Sequence, residues 1–158
     1  MAVYESIESL VANLYATVSG PAGRSVDWDR EREMYDPAAR LMRTGVDDDG
    51  RPWIKVMSLD DYIIDTKPFF AENDFYEVEI GRQVDRFGNV AQVRSAYEAR
   101  RHPDDADLLK RGVNLIQLYN DGTRWWITSV LWDNERQGVS LPAEWYSNDR
   151  NLGHRGAL

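Results

Sequence analysis

The hydrophobic period of this chain changes once, near residue 74, and that change limits the folds open to it. Before it, apolar residues recur at helical spacing. Ile7, Leu10, Val11, Leu14 and Val18 make one stripe, closed by Gly20-Pro21. Asp27 is placed to cap a second, short helix reaching about Met34, and Asp36-Pro37 breaks it. Ala39 to Thr44 and Trp53 to Met57 read as short strands on either side of a polar loop. Ser58, with Asp61 three residues on, starts a third helix carrying Tyr62, Ile63, Thr66, Phe69 and Phe70. Pro68 lies inside that pattern and predicts a kink or a restart.

After residue 74 the period is two. Tyr76, Val78, Ile80 and Val84 alternate with Glu77, Glu79, Gln83 and Asp85. Gly88-Asn89 marks a turn, and Ala91, Val93, Ser95, Tyr97 and Ala99 alternate again with polar residues. An acidic loop from His102 to Lys110 leads to two more strands, near Arg111–Tyr119 and Arg124–Trp132, joined through Asn120-Asp121-Gly122. Helices first and long antiparallel strands last predict an α+β fold, not a parallel α/β one. The 158 residues suit one domain. It is expected over 1–136, with a polar tail over 137–158 that docks through Leu141, Trp145 and Tyr146 or stays free.

Several chemistries are excluded. There is no cysteine, so disulfides, thiolate metal sites and cysteine nucleophiles drop out. The 27 acidic against 19 basic residues give a net charge of −8, which disfavours nucleic acid and anionic membranes as partners. No apolar run is long enough to span a bilayer, and the acidic start is not a signal peptide, so a cytoplasmic location is expected. The two histidines, His102 beside Pro103 and His154 in the tail, are placed for neither a serine relay nor a zinc site. Asp47-Asp48-Asp49-Gly50 fails as a calcium loop, because the first ligand position is Gly45 and the closing glutamate position is Val56. No phosphate-cradling loop is present. No metal and no cofactor is expected.

Aromatic residues are the remaining signal. They recur in every element, and large rings with a few polar tips line small-molecule pockets as well as cores. Adjacent Trp125 and Trp126 must point to opposite faces of one strand, which places one away from the core, partly exposed or under an interface.

Taken together, Leu14-Tyr15-Ala16 late in the first helix, Asp27-Trp28-Asp29, Met34-Tyr35-Asp36-Pro37, the Ser58-initiated helix and the closing Trp125-to-Trp132 strand resemble the nuclear transport factor 2-like superfamily, and within it the SnoaL-like group of small bacterial proteins. The resemblance covers the chain to about Arg136. It implies a cystatin-like cone roll: a curved antiparallel sheet with three helices from the N-terminal half over its concave face, an apolar pocket, and a homodimer formed through the sheet. Ketosteroid isomerase-like members pair a tyrosine of the first helix with a protonated aspartic acid of a late strand. Tyr15 and Asn114 match those positions, and Arg43 falls near that of the general base, where it cannot accept a proton. The pocket histidines used by dehydratase-like and cyclase-like members have no counterpart here.

The expected function is binding of a small apolar or aromatic molecule. Tyr15, Tyr97 and Asn114 would be the polar contacts, and Trp28, Phe69, Val130 and Trp132 the apolar wall. Arg43 either faces solvent or points inward, toward an anionic ligand or a carboxylate. Two alternatives stay open. One is a hydro-lyase or isomerase acting on a carbonyl substrate, which needs Glu77, Glu79 or Asp133 turned inward. The other is a structural small subunit of an oxygenase-type complex.

Overall fold

A computed structural model describes residues 4–146. Three helices are present: α1 (Ile7–Val18), α2 (Trp28–Glu33) and α3 (Leu59–Glu72). Six strands follow or interleave them: β1 (Tyr35–Val46), β2 (Pro52–Met57), β3 (Tyr76–Phe87), β4 (Val90–Arg100), β5 (Lys110–Asn120) and β6 (Trp125–Asn134). They form one sheet in the order β2-β1-β6-β5-β4-β3, curved and unclosed. The expected meander β3 to β6 is there. The sheet is mixed, however, because β1 lies parallel to β6. The α+β reading therefore holds, with one parallel pair that the antiparallel expectation did not include.

The local signals act as their chemistry requires. The Ser6 side chain caps α1 by accepting from the Ser9 N–H at 3.1 Å, and Asp27 caps α2 through the Arg30 N–H at 3.0 Å. Ser58 and Asp61 make a reciprocal capping box at the start of α3. Pro68 neither ends nor restarts α3. It stands on the exposed face, where water can satisfy the carbonyl that its missing N–H leaves. Asp36-Pro37 does not break the chain into separate elements either. It lies within β1, where the pairing with β6 slips between Tyr35 and Arg40, a bulge that accommodates a residue without a donor. Lys110, read from sequence as the end of a loop, is the first residue of β5.

The core lies between α1 and the concave sheet face. Leu10, Val11, Leu14 and Tyr15 pack on Val93, Tyr97, Ile116, Ile127 and Val130, with Trp125 fully enclosed. A smaller cluster of Val18, Phe70, Phe75 and Ala99 fills the far end. Trp126, on the other face, is capped by the Arg124 guanidinium 3.6 Å from its ring centre and donates to Asp121 at 2.9 Å. The segment after β6 packs against the convex face. The Arg94 guanidinium lies 4.0 Å from the Trp145 ring centre, and that of Arg111 lies 4.8 Å from Tyr146. Ala96, on the same face, is 1% exposed. No helix among the described residues is long and apolar enough to cross a membrane.

Candidate functional site

One irregularity in β3 sets the chemistry of the concave face. Glu79 pairs with Tyr97, but Gly81 pairs with Ala96, so Ile80 is an inserted bulge residue. An extra residue shifts the alternation by one. Before the bulge the inward set is Glu77 and Glu79; after it, Arg82 and Val84. Two carboxylates thereby enter the interior, while Val78 is 50% exposed.

Between α1, α3 and the sheet lies a cavity of about 470 Å³. Tyr35, Tyr62, Phe69, Phe70, Phe75 and Trp132 supply its aromatic wall. Of the eight residues expected from sequence, Arg43, Phe69, Asn114, Val130 and Trp132 line it. The register brings three of them into one row, Arg43 opposite Trp132 and Trp132 opposite Asn114. Tyr15, Trp28 and Tyr97 are not on the wall. Trp28 packs behind Phe70, ring centres 6.2 Å apart. Tyr97 is 1% exposed and spends its hydroxyl on Asn134 Oδ1 at 2.5 Å. Tyr15 is 5% exposed and lies beneath Asn114.

Tyr15 belongs to a hydrogen-bond chain whose direction can be worked out. Arg82 holds Glu79 with two nitrogens, Nη2 at 2.6 Å and Nε at 3.0 Å from Oε1. Ser95 donates its one hydroxyl proton to Glu79 Oε2. The short contact between Tyr15 and Ser95, 2.7 Å, must then carry the Tyr15 proton toward Ser95. The tyrosine oxygen is left as acceptor for Asn114 Nδ2 at 3.1 Å. The Asn114 amide is thus locked with its nitrogen on Tyr15 and its carbonyl oxygen without a protein partner among the described residues. The Tyr15 proton points away from the cavity, so the oxyanion pair implied by the isomerase resemblance is not assembled. Burial, with the Glu77 charge second, also pushes the Tyr15 hydroxyl well above its ordinary range.

Sequence reasoning did not single out the charged groups on the wall as pairs. Arg43 turns inward and meets Asp65 at 2.6 Å, and Lys55 meets the other Asp65 oxygen at 2.5 Å. Those contacts, the Lys55 hydrogen bond first, hold Asp65 below the usual carboxylate range. Lys110 and Glu77 face each other across Ala99, which pairs with both of their backbones, at 4.0 Å. Burial raises Glu77 and lowers Lys110, each partly offset by the other's charge. Lys110 Nζ also lies 5.3 Å from the Phe75 ring centre and 5.6 Å from that of Tyr97. Glu79 faces inward but is spent on Ser95 and Arg82. Asp133 is 41% exposed and paired with Arg136 at 2.9 Å, off the cavity. His102 is exposed, and His154 lies outside the described residues. The four-residue Asp47-to-Gly50 stretch is the β1–β2 turn, closed by Asp47 Oδ1 accepting from the N–H groups of Asp49 and Arg51.

No family model and no curated protein matches the chain. Solved structures do. A protein of unknown function with a cystatin-like fold from Nostoc punctiforme aligns at TM-score 0.62 and 9% identity over 82% of this chain and 88% of its own. An NTF2-like protein of unknown function from Pseudomonas putida aligns at TM-score 0.60 and 11% identity, covering 80% and 82%. A proposed ketosteroid isomerase from Shewanella frigidimarina aligns at TM-score 0.55 and 16% identity, covering 81% and 95%. The chain has the NTF2-like, cystatin-like fold. That fold hosts many functions, so it decides none of them.

Proposed function

We propose that the protein binds a small apolar or aromatic molecule in the cavity enclosed by α1, α3 and the sheet. The observation that carries this is an open volume of about 470 Å³, walled by six aromatic rings. Ligand pockets of this size and lining are common, whereas close-packed interiors leave few voids larger than a water molecule.

Thermal-shift measurements with a panel of fused-ring and monocyclic aromatic compounds test it. A ligand at a hundred times its dissociation constant stabilises a fold by about 2.7 kcal/mol, which for a chain of this size raises Tm by roughly 5–10 °C. Val130 is 4% exposed on the cavity floor. Val130→Phe should fill the space and abolish the shift while the protein stays folded. No shift with any member of the panel, or a shift that survives Val130→Phe unchanged, overturns the reading.

A second reading, proton transfer on a carbonyl substrate, is favoured by Glu77, which lines the cavity and whose carboxyl oxygens accept no hydrogen bond among the described residues. Turnover of enolisable ketones that Glu77→Gln abolishes would support it.

A further inference from the structure

The cavity has two charged corners, and they differ. At the corner nearer α3, both Asp65 oxygens are engaged, one by Arg43 and one by Lys55. At the other, Glu77 and Lys110 stand 4.0 Å apart, too far for a hydrogen bond. Neither Glu77 oxygen accepts a hydrogen bond among the described residues, and Lys110 Nζ donates none. Yet the Glu77 side chain is only 12% exposed. Both side chains line the cavity. The Lys110 side chain is 33% exposed, so the free hydrogen-bonding capacity of the pair is met by whatever fills the cavity, and one group that gives and takes a hydrogen bond at once would meet both.

The pair also constrains the charge of that group. One carboxylate and one ammonium cancel, so a net anion is repelled by Glu77 and a net cation by Lys110. A neutral head that donates to Glu77 and accepts from Lys110 suits both. The surrounding wall is aromatic: Phe69 packs edge-on against Phe70 and Phe75, which are tilted to each other, with ring centres 5.6–5.7 Å apart.

Resting on the binding function proposed above, we infer that Glu77 and Lys110 form the head-group station of the cavity, and that the ligand class is a neutral aromatic or alicyclic alcohol or phenol whose hydroxyl bridges the two. The hydroxyl proton goes to a Glu77 oxygen, and the hydroxyl oxygen takes a proton of the Lys110 ammonium. No bond other than hydrogen bonds forms or breaks. The ring body then extends along β5 toward Asn114, four residues and about 13 Å away in Cα spacing. There the free Asn114 carbonyl offers an acceptor to a second donor.

Fluorescence titration of the full chain with four probes of one ring system decides it: naphthalene, 2-methoxynaphthalene, 2-naphthol and 2-naphthoate. Hydrogen bonds to charged groups contribute about 1.5–3 kcal/mol, so 2-naphthol should bind about 10- to 100-fold more tightly than 2-methoxynaphthalene. The anion 2-naphthoate should bind less tightly than 2-naphthol. In the double variant Glu77→Leu with Lys110→Met, naphthalene affinity should persist and the advantage of 2-naphthol should vanish. Equal binding of naphthalene, the ether and the naphthol overturns the head-group station and leaves the binding function intact. Preference for naphthoate overturns it too. Binding of no probe overturns both. Should the double variant fail to fold by circular dichroism, the order among the four probes on the unaltered chain still decides.

Discussion

Glu31 permits a test of how this fold tolerates charge in its interior. It sits on the inner face of α2, three residues after Trp28 and four before Tyr35, and is 0% exposed. One carboxyl oxygen accepts from the Tyr35 hydroxyl at 3.3 Å, and the other has no partner. Burial without a cation pushes the group from its ordinary 4.5 up to about 8. The unfolded chain releases this proton near 4.5, while the folded chain keeps it until about 8. Between those values the folded state binds more protons, so unfolding free energy falls as pH rises. The fall is about 1.4 kcal/mol per pH unit at most and levels off above pH 8, for a total on the order of 3–5 kcal/mol. Glu31→Gln keeps the acceptor for Tyr35 and removes the titration. Near pH 5 the variant should be less stable by about 1–2 kcal/mol, because the amide brings buried donors without partners. Near pH 9 it should be the more stable protein by about 2–3 kcal/mol. Urea unfolding at several pH values, followed by tryptophan fluorescence, gives both curves. Their difference removes the contributions of Glu77, Lys110 and every other group common to the two. Parallel curves from pH 5 to pH 9 would refute the reasoning, since the burial would then carry no proton linkage.

Ser95→Ala should cost about 1–3 kcal/mol by removing the hydrogen bonds that Ser95 gives to Glu79 and takes from Tyr15, measurable by urea unfolding. It should also let Tyr15 donate to Asn114 and turn the amide, which a change in the Asn114 side-chain NMR resonances would report. In Gly81→Ala the new Cβ would fall 1.7 Å from the Trp145 carbonyl oxygen, so the segment after β6 must lift. Faster proteolysis there, with a stability loss of about 1–3 kcal/mol, is the expected result. On the convex face Val90, Leu115 and Tyr119 are 55%, 37% and 43% exposed. If a second copy covers them, light scattering should give a dimer mass, and Tyr119→Glu should reduce it to the monomer's.

The elements were legible because each carries its own local chemistry. Asp27 and Ser58, placed by sequence to cap helices, do so with their own side chains. Gly88, with φ of 56°, supplies the left-handed residue of a two-residue hairpin turn. The pairing of β1 with β6 was not legible, since both read as strands and nothing local specifies which distant partner a strand meets, or in which direction. The aromatic half of the site was partly legible for the same reason as the core: Phe69, Val130 and Trp132 fall at inward positions of their elements. Tyr15, Trp28 and Tyr97 fall inward too, but Tyr15 lies beneath Asn114, Trp28 packs behind Phe70, and Tyr97 gives its hydroxyl to Asn134.

The charged half was hidden by the bulge at Ile80. Alternation of apolar and polar residues identifies a strand, but it names the core face only if the other face meets water. Here the convex face at Gly81 is covered by the segment carrying Trp145, while on the same face Tyr76 lies against His102 and Val78 is 50% exposed. The alternation is real and its assignment to the concave side is inverted. An isolated glycine inside a strand, Gly81, was the available sign that the register slips. Taken at its word, that sign turns Glu77 inward. Once Glu77 is inward, its carboxyl either stays protonated, as Glu31 does, or meets a cation. Glu77 and Lys110 both pair with Ala99, in adjacent strands, which supplies that cation. One inserted residue in β3 thus turns Glu77 toward Lys110 and adds a second charged corner to the one made by Arg43 and Asp65.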